Sequence, residues 1–409
     1  MKTVKGVVRP YAWGSRTALA ELQGRPAPSP HPEAELWFGA HPAAPAAVDD
    51  AAKSDLLAVI DDDPLAALGA TVAETYEQRL PFLVKILAAD EPLSLQAHPS
   101  AEQARIGFAA ENRAGLAVDD PRRNYRDSWH KPEIVVALSD FEALAGFREP
   151  AVTVELLRCL QVPGLDSALG MLADAPDQTG LRTVFTTWLT LPETMIKDLV
   201  PQVLSGAVAA LENGESRFAG ELRAVLELGE AYPDDPGVLA ALLLNFVRLR
   251  PGEAIYLPAG NLHAYLRGTA VEAMANSDNV LRGGLTPKHI DVPELLRVLD
   301  FAPVSRDALM PPVEALGAER IYLTPAPEFR LSRVELDGTG LHHASSISFD
   351  MPGPQILAVT TGRIEVFVPG GESLTVECGD AVWLSDDDPD VTVRAGSSHA
   401  VFFRARVPH

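Results

Sequence analysis

Gln96 and His98 stand two residues apart in LSLQAHPS (93–100). On a β-strand, residues i and i+2 share a face, so an amide oxygen and an imidazole nitrogen would lie side by side. A second cluster, WHKPEIVVAL (129–138), places Glu133 at the start of an apolar run. A third, PGEAIYLPAGNLHAY (251–265), brings in His263 after a Pro-Ala-Gly turn. Together they offer two imidazole nitrogens, a carboxylate and an amide oxygen. That set suits a borderline divalent ion such as zinc, with water or substrate in an open position. One carboxylate against a doubly charged ion leaves the centre net positive and a stronger Lewis acid. The competing reading makes each histidine an ordinary hydrogen-bonded core residue.

These residues need strands and turns to carry them. LPFLVKILAA (80–89), PLSLQAH (92–98) and PEIVVAL (132–138) read as strands. SAEQARIGFAAENRAG (100–115) reads as a helix with Ser100 as N-cap and Gln103 completing a capping box. From 151 to 247 apolar residues recur at helical spacing, between punctuations such as VPG and YPDDPG, which predicts about five helices. Within that block VLAALLLNFV (238–247) reads as a buried helix. LTPKHIDVPELLRVLD (285–300) reads as another helix, with Thr286 and Pro287 at its start. From about 302 the chain is expected to be all strand and turn, in a barrel or sandwich. CGDAVWLS (378–385) echoes PGEAIYLP (251–258) but brings no histidine, so no second metal site is expected. DDDPD (386–390) reads as a solvated turn and lacks the spacing of an EF-hand.

The chain has 409 residues, 34 basic and 56 acidic side chains, and a formal charge of −22. That balance argues against a nucleic-acid or anionic-membrane partner. An anionic ligand would require a local positive site. The two cysteines, Cys159 and Cys378, are not paired by any spacing, which points to a reducing, cytoplasmic setting. The N-terminus shows no secretory pattern, and no run approaches the ~20 apolar residues of a membrane span.

The string G-E-x(4)-P-A-G-x-x-H at 252–263 resembles the second metal-binding motif of cupin barrels. The whole chain resembles type I mannose-6-phosphate isomerases. The resemblance rests on YAWGS (11–15), AELWFGAHP (34–42), PFLVKIL (81–87), LSLQAHPS (93–100), NYRD with HKPEIVVAL (124–138), YLPAGNLHAYL (256–266) and VEAMANSDNVLRGGLTPKHID (271–291). It implies a mainly β fold with an α-helical insertion: a cupin (jelly-roll) catalytic domain from 1–150 and 248–300, a helical domain at 151–247, and a degenerate cupin-like β-barrel at 301–409. It further implies a monomer acting on a small sugar phosphate, without an added nucleotidyltransferase domain.

By position, the resemblance implies one zinc ion on Gln96, His98, Glu133 and His263. It puts the catalytic arginine on Arg282, with Lys131, His130, Glu272, Asp278 and Tyr265 around it. The reaction would pass a proton between C1 and C2 through a cis-enediol. Zinc, Arg282 and Lys131 would stabilise the developing charge. A carboxylate, with Glu272 preferred, or a metal-bound hydroxide would move the proton, and Asp278 would assist ring opening. Lys85, Arg282 and Ser94 are the candidates for the phosphate. Bland alternatives stand beside these roles: Lys85 as a snorkelling strand lysine, Asp278 as a turn residue, Arg282 in a structural ion pair. His31, His41, His289, His342, His343, His399 and His409 read as non-ligands, His41 being the first to reconsider. Trp13 and Trp37 read as packing. Trp129 stands where the family usually has Asn, which puts substrate selectivity in question. Three rival readings remain: another sugar or sugar phosphate as substrate, an iron cupin oxygenase, and a sugar-sensing cupin without turnover.

Overall fold

Phe82–Ala89 and Glu133–Ala137 are buried along their whole length, which requires cover on both faces of the sheet. The computed structural model of the chain shows what supplies it. Residues 1–409 are described except 51, 341–343, 350–351, 369 and 409, so His342, His343 and His409 lie outside the described residues.

The long strand His263–Ala275 organises the first sheet system. Near its start it pairs antiparallel with Leu95–Ala97 and Phe141–Phe147. Beyond that it pairs with Phe82–Ala89 and Glu133–Ala137. The change of partners falls at Gly268, where φ is +110°. A Cβ there would lie 2.5 Å from the Asp140 carbonyl oxygen, so this corner needs glycine. Glu35–Phe38 and Val7–Arg9 extend the sheet beyond Phe82–Ala89. Leu281–Gly284 pairs with Leu95–Ala97.

The two-residue strand period sorts side chains into three environments. Leu87, Val135, Ala143, Ala145 and Tyr265 face one shared interior. Alternate residues Val84, Ile86, Ile134, Val136 and Val271 pack outward against Phe329, Ile356, Trp383 and Phe403 of the C-terminal sheet. On the other half, Leu95, Ala97, Leu144, Ala264 and Leu281 pack outward against Leu156, Leu181, Phe185 and Leu228 of the helices. Both outer faces are thus covered, and only the interior has room for polar groups.

The helical block holds six α-helices, Pro150–Cys159, Asp166–Asp174, Gln178–Leu189, Glu193–Glu212, Ala219–Ala231 and Gly237–Ala241. The expected buried helix at 238–247 is only partly one: after Ala241 the chain turns into the strand Leu244–Leu249. The helix Ala101–Arg113 carries the expected Ser100–Gln103 capping box. The helix expected at 285–300 is shorter, Val292–Val298, capped by Asp291. Thr286 caps only a local bend, its Oγ1 accepting from the Lys288 amide, because Asp291 followed by Pro293 offers the stronger start.

In the C-terminal block an eight-stranded sheet packs on a four-stranded one across Val334, Leu336, Leu357, Phe402, Ile364, Val366 and Val393. Lys2–Lys5 and Ala47–Val48, from the expected catalytic segment, complete the larger sheet beside Asp380–Leu384. One short helix, Arg306–Leu309, interrupts the expected all-strand stretch. Among the described residues no sheet closes into a barrel; the expected barrels are open sheets facing one another. Both thiols are free. Among the described residues no helix is long and apolar enough to cross a membrane.

Replacing Gly268 by Ala forces a side chain into a left-handed corner against a carbonyl. Urea unfolding is expected to show a loss of about 1–3 kcal/mol.

Candidate metal centre

The inward register brings Glu35, Trp37, Lys85, Gln96, Glu133, His263, Tyr265, Glu272 and Arg282 toward one interior, because each alternates with a residue of the outer cores. Gln96 sits opposite His263 on one side and Arg282 on the other. His263 follows the turn closed by Gly260, whose φ of +78° and whose amide bond to the His98 carbonyl oxygen tie the two ligand segments together.

The His98 Nδ1 lies 2.7 Å from the Asn279 carbonyl oxygen, and the His263 Nδ1 lies 3.0 Å from that of Asn261. A carbonyl only accepts, so each Nδ1 carries the hydrogen, and the tautomer so fixed leaves Nε2 as the ligand atom of each ring. Burial pushes the His98 pKa down to about 4, against the pull of Glu133, so this ring is neutral at pH 7. Glu133 Oε2 lies 3.2 Å from the His98 Nε2 and 3.3 Å from the His263 Nε2. All three atoms are buried and lack any hydrogen-bond partner. Three lone-pair donors facing one another out of water are unfavourable unless a cation joins them. A tetrahedral ion with ligands at about 2.0–2.1 Å sets those ligands roughly 3.3 Å apart, which matches the spacing here. The residues therefore fit a zinc-sized ion. Glu133 Oε1 is held by the Lys131 ammonium at 2.9 Å. Burial alone would raise the Glu133 pKa, but Lys131, His98 and His263 together outweigh it and keep the carboxyl well below its usual range.

A second polar cluster adjoins the first. Lys85 Nζ is 3.1 Å from Glu272 and 3.8 Å from Glu35, and lies 5.0 Å from the centre of the Trp37 ring. Burial disfavours its charge, yet Glu35 and Glu272 raise its pKa above the lysine value. Trp37 donates to Glu35 at 2.6 Å. Glu272 accepts from the Tyr265 hydroxyl at 2.8 Å. Burial raises the Glu272 pKa, although Lys85 opposes it. Burial and then Glu272 raise Tyr265 well above 10.

The remaining expected residues fall around this pair of clusters. Arg282 is half-buried, and its pKa is lowered first by burial and then by Arg126. Lys288 is lowered first by burial and then by the charges of Arg282 and Arg126. Ser94 is half-buried just ahead of the Gln96 strand. Asp278 accepts from the His41 Nε2 at 3.3 Å, while the His41 Nδ1 accepts from the Ala43 amide. Burial acts to raise the Asp278 pKa, but His41, Lys131 and Arg126 together lower it. His130, one residue out of phase with Lys131, points away to Glu328 of the C-terminal block, 2.5 Å distant. Trp129 packs with Tyr76 and under Arg79.

The sequence reading missed Glu35, the partnership of His41 with Asp278, and the cations Arg126 and Lys288. The signal for Glu35 was present, since Glu35 and Trp37 alternate in ELWF exactly as Gln96 and His98 do in LQAH.

A family model for the phosphomannose isomerase type I catalytic domain matches residues 1–150. Mannose-6-phosphate isomerase of Escherichia coli (strain K12) is 38% identical over 397 residues, covering 96% of this chain and 97% of that protein. A crystal structure of mannose 6-phosphate isomerase bound with zinc and yttrium matches at TM-score 0.89 and 36% identity, covering 100% of both chains. The Salmonella typhimurium enzyme bound to its substrate f6p and a zinc atom matches at TM-score 0.89 and 35% identity, again over 100% of both. With identity of this order sustained along nearly its whole length, the chain belongs to the type I phosphomannose isomerase family.

Proposed function

We propose that the chain interconverts mannose 6-phosphate and fructose 6-phosphate with a zinc ion. The observation that carries this is the trio of buried, unpartnered ligand atoms at tetrahedral spacing. His98, Glu133 and His263, with the Gln96 amide, would hold the ion. When bound, zinc supplies Lewis acidity toward the sugar oxygens.

The chain's own residues divide the rest. Glu272 carries the proton between C2 and C1. It is buried and raised in pKa, which suits a base that must both accept and return a proton. Tyr265 and Lys85 hold its two oxygens and so aim it. Lys131 and Arg282 face the oxygens on which enediol charge develops. Asp278, ionised beside His41, assists opening of the ring. For the phosphate we favour Arg282 with Lys288 and Arg126, and Ser94 as a hydroxyl contact. The expected role of Lys85 there is replaced by its two carboxylate partners. His130 we read as a structural pin to the C-terminal block rather than a catalytic group. The architecture is read as a cupin-type catalytic unit from 1–150 and 248–300, a helical unit at 151–247, and a cupin-like unit at 301–409 that borrows strands from the first. Two free thiols suit a reducing cytoplasm.

The primary test is conversion of mannose 6-phosphate before and after chelation. Activity is expected to vanish with chelator and return with zinc; a zinc-loaded, folded protein without turnover would sink the assignment. Replacing His98 by Ala should abolish stoichiometric zinc binding, as measured by metal analysis of the purified protein.

Arg282→Ala is expected to lower kcat/KM about 10²–10³-fold. Steady-state kinetics with the Lys variant alongside will show how much a point charge without the guanidinium fork restores.

The pH dependence follows from Glu272. As a base it must be ionised, so activity falls as pH drops through its pKa, and burial sets that limb above the usual glutamate range. Lys85→Met removes the cation that favours the ionised form. The acidic limb of kcat/KM is expected to move further toward alkaline pH.

A further inference from the structure

Two loops between the strands deliver further charged groups to the site. Residues 126–132 carry Arg126 and Lys131 into Glu133. Residues 276–280 carry Asp278 and lead to Arg282. Their relative position is set by Asn279, which is 0% exposed.

The Asn279 side chain uses both ends. Its Oδ1 accepts from the Arg126 amide at 2.7 Å and the Asp127 amide at 3.3 Å. Its Nδ2 donates to the Trp129 carbonyl oxygen at 2.7 Å, the Asp127 carbonyl oxygen at 2.9 Å and Asp127 Oδ1 at 3.3 Å. The amide orientation is unambiguous, since one end meets only donors and the other only acceptors. Asp127 returns the contact. Its Oδ1 accepts from the Ser277 hydroxyl at 2.8 Å and the Trp129 amide at 2.9 Å, and its Oδ2 accepts from the Asp278 amide at 2.8 Å. The backbone carbonyl of the same Asn279 receives the His98 Nδ1–H.

We propose that Asn279 and Asp127 form a clasp of positioning residues, which sets the tautomer and aim of metal ligand His98 and the register of the Arg126–Lys131 segment at once. The inference rests on the isomerase reading above only for its kinetic readout. Among the described residues no other contact joins a ligand's ring to both loops through one residue. Partners that orient metal ligands typically change metal affinity or activity by about 10–100-fold when altered.

The test exchanges the two side chains. Asn279→Asp is isosteric but loses both N–H donors and sets a carboxylate against Asp127. Zinc affinity, measured by competition with a chromophoric chelator, is expected to fall tenfold or more, and kcat likewise. Asp127→Asn is expected to show a smaller loss of both. The double exchange restores an amide facing a carboxylate, and is expected to recover a substantial part of what Asn279→Asp lost. Wild-type zinc affinity and kcat in Asn279→Asp would overturn the proposal, as would a double variant no better than the product of the two single losses. Should Asn279→Asp fail to fold, Asp127→Asn decides alone: unchanged zinc affinity and kcat in that folded variant overturn the clasp. Zinc affinity needs no turnover, so an inactive wild type would reject the isomerase reading while leaving the clasp separately decided.

Discussion

The structure turns on three buried atoms that cannot satisfy one another. The Nε2 atoms of His98 and His263 and the Oε2 of Glu133 bring lone pairs together where water does not reach. Such an arrangement costs several kcal/mol if left without a cation. It is held in place by backbone bonds: each Nδ1–H is committed to a carbonyl, and Gly260 links the His98 and His263 segments. Neither ring can therefore relieve the conflict by flipping without losing a buried hydrogen bond. The backbone thus aims all three atoms at one point, which is what preorganisation of a metal centre requires.

Cover on the outside makes the polar inside possible. The helices bury one outer face of the first sheet system and the C-terminal sheet buries the other. Their apolar contacts supply the stability that the interior, crowded with ionisable groups, does not. The C-terminal block also reaches in with charge. Glu328 meets His130 next to Lys131, so the segment entering Glu133 is pinned from outside by one unit and clasped from inside by Asn279. The C-terminal block thus has a part in this arrangement through its surface.

What was legible in the sequence follows the two-residue period. Gln96 with His98, and His263 with Tyr265, are pairs two apart that extended chain shows on one face without further information, whereas Lys131 was legible only through the family resemblance. The same rule places His130 opposite to Lys131, a signal present in HKPE and overridden by adjacency. The helical block and the Ser100 capping box were legible because their signals are local. The partners of Lys85 were not, since Glu35 and Glu272 come from strands far apart in sequence and only pairing registers bring them beside it. Nor was the pairing of Lys2–Lys5 with Asp380–Leu384, across almost the full chain. Loop cations such as Arg126 and Lys288 have no period to betray them.

The charges of the interior explain how a chain of −22 can take an anionic sugar. Lys85 pairs with Glu272 and Glu35, and Lys131 with Glu133; with Arg282 counted in, the inward-facing side chains are near balance. A divalent cation tips the pocket to about two positive charges, which a sugar phosphate, close to a dianion at pH 7, returns toward neutrality. Arg126 and Lys288 at the rim add attraction that the protein's overall field lacks. On this view metal and phosphate are coupled through the electrostatics of one low-dielectric cavity. An ion held by His98, Glu133 and His263 would supply Lewis acidity toward the sugar oxygens, and its charge would also favour the anionic end of the ligand in a protein that otherwise repels it.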